Sequence, residues 1–222
     1  MDNIAVFIDG DNISPSDIHL MMDEIRTHGT IIYSALFCDM SAENTQTIQS
    51  ESTNNGVSLV HCERISGKNS TDIKLIVELM EILHTNDIIN LFYIITSDSD
   101  FRHVIPRILE KGKKAHCIGS EHTNISLINA CTTFTDIEVL RNISSNGKPN
   151  TIPKNLKKNI RKEILLLFDT KEKVNMGNIL INLQNKYNFD FRKYGFENMK
   201  AFIQKTYPDF QHVDGGCITN LI

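Results

Sequence analysis

The chain has 222 residues, of which 41% are hydrophobic and 23% charged, and its formal net charge is −4. These values are typical of a soluble globular protein with one domain of ordinary size and a second, smaller one. They exclude an integral membrane protein, because no apolar run approaches the ~20 residues that a membrane-spanning helix needs.

The two parts of the chain carry opposite net charge. Residues 1–146 contain 10 Lys+Arg against 20 Asp+Glu, whereas residues 147–222 contain 13 against 7, so the first part is net −10 and the second net +6. This asymmetry indicates two units with different roles, the basic one being a candidate for binding nucleic acid. A lysine-rich tail that only aids solubility is the simpler alternative.

Neither the N-terminus nor the cysteines indicate export. The chain begins MDNIAVFIDGDN, without the basic leader of a signal or transit peptide, so we expect it in the cytosol or nucleus. The five cysteines are irregularly spaced and form no CxxC pair. We therefore expect reduced thiols, with no disulfide framework and no zinc site.

Up to residue 141, strand patterns alternate with helix patterns. Five short apolar runs predict buried strands at 4–9, 30–37, 57–61, 91–96 and 115–119. Helices are predicted from an N-cap at Ser14 to a stop at Gly29, over 71–84, and from Pro106 to just before Gly112, with a turn over 98–105. The alternation predicts an α/β fold with a doubly wound, mainly parallel sheet of five or six strands.

A second domain is predicted after a segment rich in Ser, Asn, Gly and Pro. We assign residues 1–143 to the first domain, 144–154 to a linker and 155–222 to the second domain. The last region shows three helix patterns, at 155–168, 176–187 and 196–206, and a hairpin pattern around Asp214-Gly215-Gly216. Three helices and a hairpin predict a small winged helix-turn-helix domain.

Aspartates follow two of the predicted strands. Asp9 ends the first strand, Asp98 and Asp100 follow the fourth, and Asp72 opens the helix after the third. If the first strand is central, these positions meet at one edge of the sheet. Each aspartate alone could simply cap a turn or helix, but capping does not explain why all four converge.

Four converging carboxylates repel one another unless a cation compensates their charge. An all-oxygen set without His or Cys favours Mg²⁺ or Mn²⁺ over zinc, and a second ion is compatible with phosphodiester hydrolysis. Asp11 is expected to face solvent or to support the site from outside. Asn12 is expected to orient Asp9 or a phosphate.

These motifs resemble the NYN domain, a branch of the PIN-like nucleases. FIDGDN is similar to that family's strand-one motif, KNSTDIKL to its KGxDxxL segment, and TSDSDFRHVIPRILEKGKK to its SxDxDFxP run. The resemblance covers roughly residues 3–141 with the motifs in the family's order. It departs at Gly67–Asp72, where extra residues separate the Gly-Lys element from the aspartate.

The resemblance implies a PIN-like fold and a metal-dependent ribonuclease. It implies that Asp9, Asp72, Asp98 and Asp100 hold Mg²⁺ or Mn²⁺, with Asn12 and Ser97 in support. Metal-activated water would attack the phosphorus in line and leave 5′-phosphate and 3′-hydroxyl ends. Lys68 and Arg102 are candidates for phosphate contacts, with ordinary surface charge as the alternative.

The C-terminal region resembles the OST-HTH, or LOTUS, domain, a winged helix of RNA-regulating proteins. The similarity rests mainly on Phe191–Phe196 and covers about residues 155–222. Phe196, Met199 and Phe202 have helical spacing and are expected in the core. Contacts to RNA would use the basic residues of this region: Lys154, Lys157, Lys158, Arg161, Arg192 and Lys193.

Two other functions remain open from the sequence. A Mg²⁺-dependent aspartyl-phosphate hydrolase of the haloacid dehalogenase class also begins with a strand ending DxD, but its later lysine and acidic motifs are not in this order here. An RNA-binding adaptor with weak or no catalysis is the non-enzymatic alternative. We expect RNA as a partner and no membrane, and we leave open a protein partner of the C-terminal domain and a homodimer.

Overall fold

The computed structural model describes residues 1–41, 45–63, 69–144, 152, 154–168, 172–213 and 215–220, without the side chains of residues 142–144, 155 and 193. Within these residues the chain divides into two compact units, 1–140 and 141–222. No helix of the described residues is long and apolar enough to cross a membrane.

The first unit is built on a parallel sheet. Its strands are β1 (Asp2–Asp9), β2 (Gly29–Cys38), β3 (Ser58–His61), β4 (Leu91–Ile95), β5 (Lys114–Gly119) and β6 (Thr133–Asp136), in the spatial order β3-β2-β1-β4-β5-β6. Every neighbouring pair is parallel. The α/β fold with a mainly parallel sheet is confirmed, and the sheet has six strands.

Helices connect the strands, as parallel pairing requires, and one more helix follows the last strand. They are α1 (Ile18–Arg26), α2 (Thr45–Asn55), α3 (Ser70–Thr85), α4 (Ile105–Glu110), α5 (Ile125–Ala130) and α6 (Ile137–Ser144). Residues of β1, β2 and β4 pack against apolar residues of α1, and Ile137 and Leu140 of α6 belong to the same core. β1 and β4 are buried on both faces, which explains their nearly continuous apolar sequences.

Two local predictions differ from the structure, and some elements of the first unit were not predicted. Ser14 does not cap α1, because a 3-10 helix at residues 15–17 lies between them. The Ser14 hydroxyl forms a hydrogen bond with the Ser16 hydroxyl at 2.8 Å. Residues 99–103 form a 3-10 helix instead of an open turn. α2, α5, α6 and β6 were not predicted: α2 has a mostly polar sequence with one buried residue, Ser52, and α5, α6 and β6 have only six, eight and four residues.

The second unit contains three helices and a small antiparallel sheet. Its elements are α7 (Lys154–Phe168), β7 (Val174–Asn175), α8 (Met176–Tyr187), α9 (Met199–Thr206), β8 (Phe210–Val213) and β9 (Cys217–Asn220), with strand order β7-β9-β8. The three predicted helices and the predicted hairpin, formed by β8 and β9, are present, and the winged helix-turn-helix stays a prediction. Met199 and Phe202 are buried, as predicted for core residues, and Phe196 is partly buried.

The strand order positions the site. From β1 the chain proceeds outward to β2 and β3, then returns to β4 on the other side of β1 and proceeds to β5 and β6. The carboxyl ends of β1 and β4 therefore lie at the topological switch point, where open α/β sheets bind their ligands.

Candidate active site

Asp9 is the innermost carboxylate of this edge. It is the last residue of β1 and is fully buried. Its Oδ2 atom accepts hydrogen bonds from Asn12 Nδ2 at 2.6 Å and from Thr96 Oγ1 at 2.8 Å. Its Oδ1 atom is also buried but has no hydrogen-bond partner among the described residues. One oxygen of the carboxylate is thus held in place and the other is left available.

The surroundings of Asp9 disfavour its negative charge. Burial raises the pKa of Asp9 to about 6, and the hydrogen bonds from Thr96 and Asn12 offset only part of this effect. The charges of Asp72 and Asp11 raise the pKa further. A bound cation would reverse this balance by favouring the ionised form.

Asp98 and Asp100 follow β4, directly beside β1. The backbone N–H of Asp98 donates to Thr96 Oγ1 at 3.1 Å, and Asp98 Oδ1 accepts from the backbone N–H of Asp100 at 2.9 Å. Asp98 therefore caps the 3-10 helix at 99–103. Asp98 is partly exposed and Asp100 is exposed, so both carboxylates can be reached from solvent.

Thr96 connects the two strand ends. Its buried hydroxyl donates to Asp9 and accepts from the backbone of Asp98, so it fixes the two aspartate positions relative to each other. The sequence analysis did not single out this residue. Its only signal is a hydroxyl side chain between the apolar residues of β4 and Asp98.

Asp72 lies in the first turn of α3 and is partly buried. Burial raises its pKa, and the charges of Asp98, Asp11 and Asp100 raise it further. Since Asp72 also raises the pKa of Asp9, the structure brings all four predicted aspartates within electrostatic reach of one another.

Asp11 is a fifth carboxylate at this edge. Its side chain is exposed and its Oδ2 atom accepts from Thr71 Oγ1 at 3.3 Å, which ties the loop after β1 to the start of α3. Its charge acts on both Asp9 and Asp72.

Gly10 allows the loop after β1 to lie this close to β2. A Cβ atom at Gly10 would lie 2.7 Å from Leu36 Cδ2 and 2.8 Å from both Cys38 Cβ and the Phe37 carbonyl oxygen. These separations are shorter than van der Waals contact, so a larger residue would displace the loop that carries Asp11 and Asn12.

The carboxylate oxygens of these aspartates are suitable ligands for a divalent cation, but they do not surround a cation position by themselves. In the part of the chain that the structure describes, no three His, Cys, Asp or Glu side chains converge on a metal position. Mg²⁺ commonly keeps several water ligands and uses only one or two protein carboxylates, so full enclosure is not required. The unpartnered oxygen of Asp9 and the raised pKa values of Asp9 and Asp72 are features that a cation would relieve.

The remaining predicted residues of the first unit border this edge. Ser97 donates to the hydroxyl of Ser120 at 2.9 Å and accepts from its backbone N–H at 2.9 Å, which links the ends of β4 and β5. Arg102 is partly exposed within the 3-10 helix that follows Asp98. Lys68 lies outside the described residues.

The predicted basic residues of the second unit differ in their availability. Arg161 forms an ion pair with Asp209, with Nη1–Oδ1 at 2.8 Å and Nη2–Oδ2 at 2.7 Å, and packs against the ring of Phe210. Its guanidinium is therefore engaged within the unit. Arg192 is exposed although it pairs with Asp190. Lys154 and Lys158 are exposed and Lys157 is partly exposed, whereas the side chain of Lys193 lies outside the described residues.

Comparison with known proteins agrees with this architecture. A crystal structure of a protein of unknown function from Vibrio parahaemolyticus superposes with a TM-score of 0.52 at 15% identity, covering 60% of this chain and 91% of that one. No curated protein matched the sequence. The family model of the NYN domain matches residues 3–138, which contain the aspartate edge, that is, Asp9, Asp11, Asp72, Asp98 and Asp100. The chain therefore belongs to the NYN domain family of the PIN-like nuclease superfamily.

Proposed function

We propose that the chain is a metal-dependent ribonuclease that hydrolyses RNA phosphodiester bonds at the aspartate edge, with Asp9, Asp72, Asp98 and Asp100 holding Mg²⁺ or Mn²⁺. The observation that carries this proposal is the buried Asp9, whose Oδ1 atom has no partner in the described structure and whose pKa is raised to about 6. A buried acceptor without a donor is costly, and a cation is the ligand that such an oxygen accepts.

The protein groups have separable roles in this proposal. Thr96 and Asn12 hold Oδ2 of Asp9, so that Oδ1 keeps one orientation. Asp98, Asp100 and Asp72 add carboxylates at the mouth of the site, where substrate can approach. When bound, a divalent ion would activate water and neutralise charge on the scissile phosphate.

The second unit supports the proposal through its charge. We infer that it is an OST-HTH/LOTUS-like module, spanning 155–222 after a linker at 144–154, and that it helps to hold RNA. Lys154, Lys157, Lys158 and Arg192 are its candidate phosphate contacts. Arg161 is omitted because its guanidinium already pairs with Asp209.

The test is incubation of the purified chain with end-labelled RNA and with DNA of the same sequence, in Mg²⁺, Mn²⁺ or EDTA. We expect cleavage of RNA that requires the metal and leaves 5′-phosphate ends. Asp98→Asn should abolish cleavage, whereas the matched control Asp87→Asn, an exposed aspartate just before β4, should not. Cleavage that survives EDTA or Asp98→Asn would refute the proposal.

Two other outcomes would favour the alternatives. RNA binding without cleavage under any metal condition would indicate an adaptor. Phosphate release from an aryl phosphate without RNA cleavage would indicate an aspartyl-phosphate hydrolase.

A further inference from the structure

α3 has a second apolar face that the described residues leave largely exposed. Its inward face packs Leu75, Leu79 and Leu83 into the core. On another face, Ile73 is 60% exposed and Val77 is 59% exposed. Ile76 and Met80 are partly exposed beside them, and the four residues have the i, i+3, i+4, i+7 spacing of one continuous helical stripe. A helix with two apolar faces normally packs on two sides.

The charges beside this stripe indicate what covers it. Lys74 and Glu81 are both exposed and lie seven residues apart, so they occupy the same flank of α3, two turns from each other. The Lys74 ammonium donates to the backbone carbonyl of His61 at 2.7 Å, and this neutral partner leaves its positive charge and its other N–H groups for a carboxylate. In an antiparallel pair of identical helices, residues on one flank face residues on the same flank of the other helix, in the opposite sequence order. Lys74 of one copy then lies opposite Glu81 of the other, whereas a parallel pair would place equivalent residues at the same level.

We propose that a second copy of this chain packs on this face through a two-fold symmetric, antiparallel pair of α3 helices. Val77 lies near the two-fold axis, with Ile73 and Met80 on either side of it. Two equivalent Lys74–Glu81 pairs flank the contact. The interface is isologous, as in most homodimers, and does not depend on the proposed nuclease activity.

The pairing is expected to be reversible. One pair of helices of 16 residues buries less surface than the roughly 1,200 Å² of a stable interface, so the dimer should dissociate on dilution. Its charged contacts are exposed, so high salt should weaken it as well.

Sedimentation velocity of the full-length chain over a wide concentration range tests the proposal. We expect a concentration-dependent monomer–dimer equilibrium. Val77→Glu should abolish the dimer, because it places two carboxylates close together near the two-fold axis. The matched control is Ile88→Glu, which changes an apolar residue that is 67% exposed but lies outside α3. It should leave the equilibrium unchanged.

A charge exchange tests the register. Lys74→Glu and Glu81→Lys should each raise the dimer dissociation constant by about tenfold, because each turns two attractive contacts into repulsive ones. The double variant should restore the original constant, and a mixture of the two single variants should form the heterodimer. Thermal unfolding of each variant checks that the fold is retained.

The proposal is overturned by a chain that stays monomeric at every concentration. It is also overturned by a dimer that Val77→Glu does not change. A double variant as weak as the single ones would refute the antiparallel pairing.

Discussion

Replacing Asp9 by Asn tests the proposed role of this residue in stability and in metal binding. Its carboxyl has a pKa of about 6 instead of 3.8, so burial disfavours ionisation. Since one pKa unit corresponds to about 1.4 kcal/mol, keeping Asp9 ionised costs the metal-free protein about 3 kcal/mol at neutral pH. Asn removes this cost because it carries no charge.

The gain is partly offset by the new amide. Its oxygen can take the place of Oδ2 and keep the hydrogen bonds from Thr96 and Asn12. Its NH₂ group takes the place of Oδ1 and finds no acceptor among the described residues, which costs about 1–3 kcal/mol. Without metal, Asp9→Asn should therefore be as stable as the original protein or up to about 2 kcal/mol more stable near pH 8.

The pH dependence distinguishes this explanation from a general packing effect. The folded protein holds the Asp9 proton more tightly than the unfolded chain does, so this group's contribution to stability is present below pH 3.8 and is lost as the pH rises through about 6. The higher stability of Asp9→Asn relative to the original protein should therefore appear only above about pH 6 and vanish near pH 4.

Urea denaturation in EDTA at about pH 8 and about pH 4 measures this difference. Thermal unfolding with Mn²⁺ is the companion assay, because a ligand that binds only the folded state raises its stability. We expect Mn²⁺ to stabilise the original protein and the Asp87→Asn control, but not Asp9→Asn. The reasoning fails if Asp9→Asn lowers stability equally at both pH values, or if the variant cleaves RNA at the original rate.

Three further predictions follow from the site and the two units. Thr96→Val should lower the free energy of unfolding by about 1–3 kcal/mol and move the acid limb of RNA cleavage to higher pH, because it removes a hydrogen bond that lowers the pKa of Asp9. Thr96→Ser should restore both the stability and the pH profile, and a Thr96→Val profile that does not move would contradict the role of Thr96. Gly10→Ala should cost about 1–3 kcal/mol in urea unfolding, because its Cβ would lie 2.7 Å from Leu36 Cδ2, and an unchanged midpoint would contradict this close approach. A chain shortened to residues 1–146 should keep catalysis but bind RNA more weakly and with a smaller salt slope, whereas equal slopes would make the basic unit a protein-docking module.

The sequence alone determined five strands and three helices of the first unit and the acidic character of the site. Apolar runs identified five of the six strands of the first unit, because a strand buried on both faces must be apolar along its length. Asp9, Asp98 and Asp100 could be located at strand ends from these runs. The mostly polar α2 and the four-residue β6 could not be identified from the sequence, because neither has a hydrophobic period to detect.

Only the tertiary structure decided which of these strand ends are neighbours. Local periodicity reports how each element is buried but not its order in the sheet, so the adjacency of β1 and β4 was a supposition until the fold was known. The hydroxyl of Thr96, the contact of Asp11 with Thr71 and the unpartnered oxygen of Asp9 all depend on that adjacency or on the position of α3. The raised pKa of Asp9 has the same origin, since burial and neighbouring charge are properties of packed elements and not of any one segment.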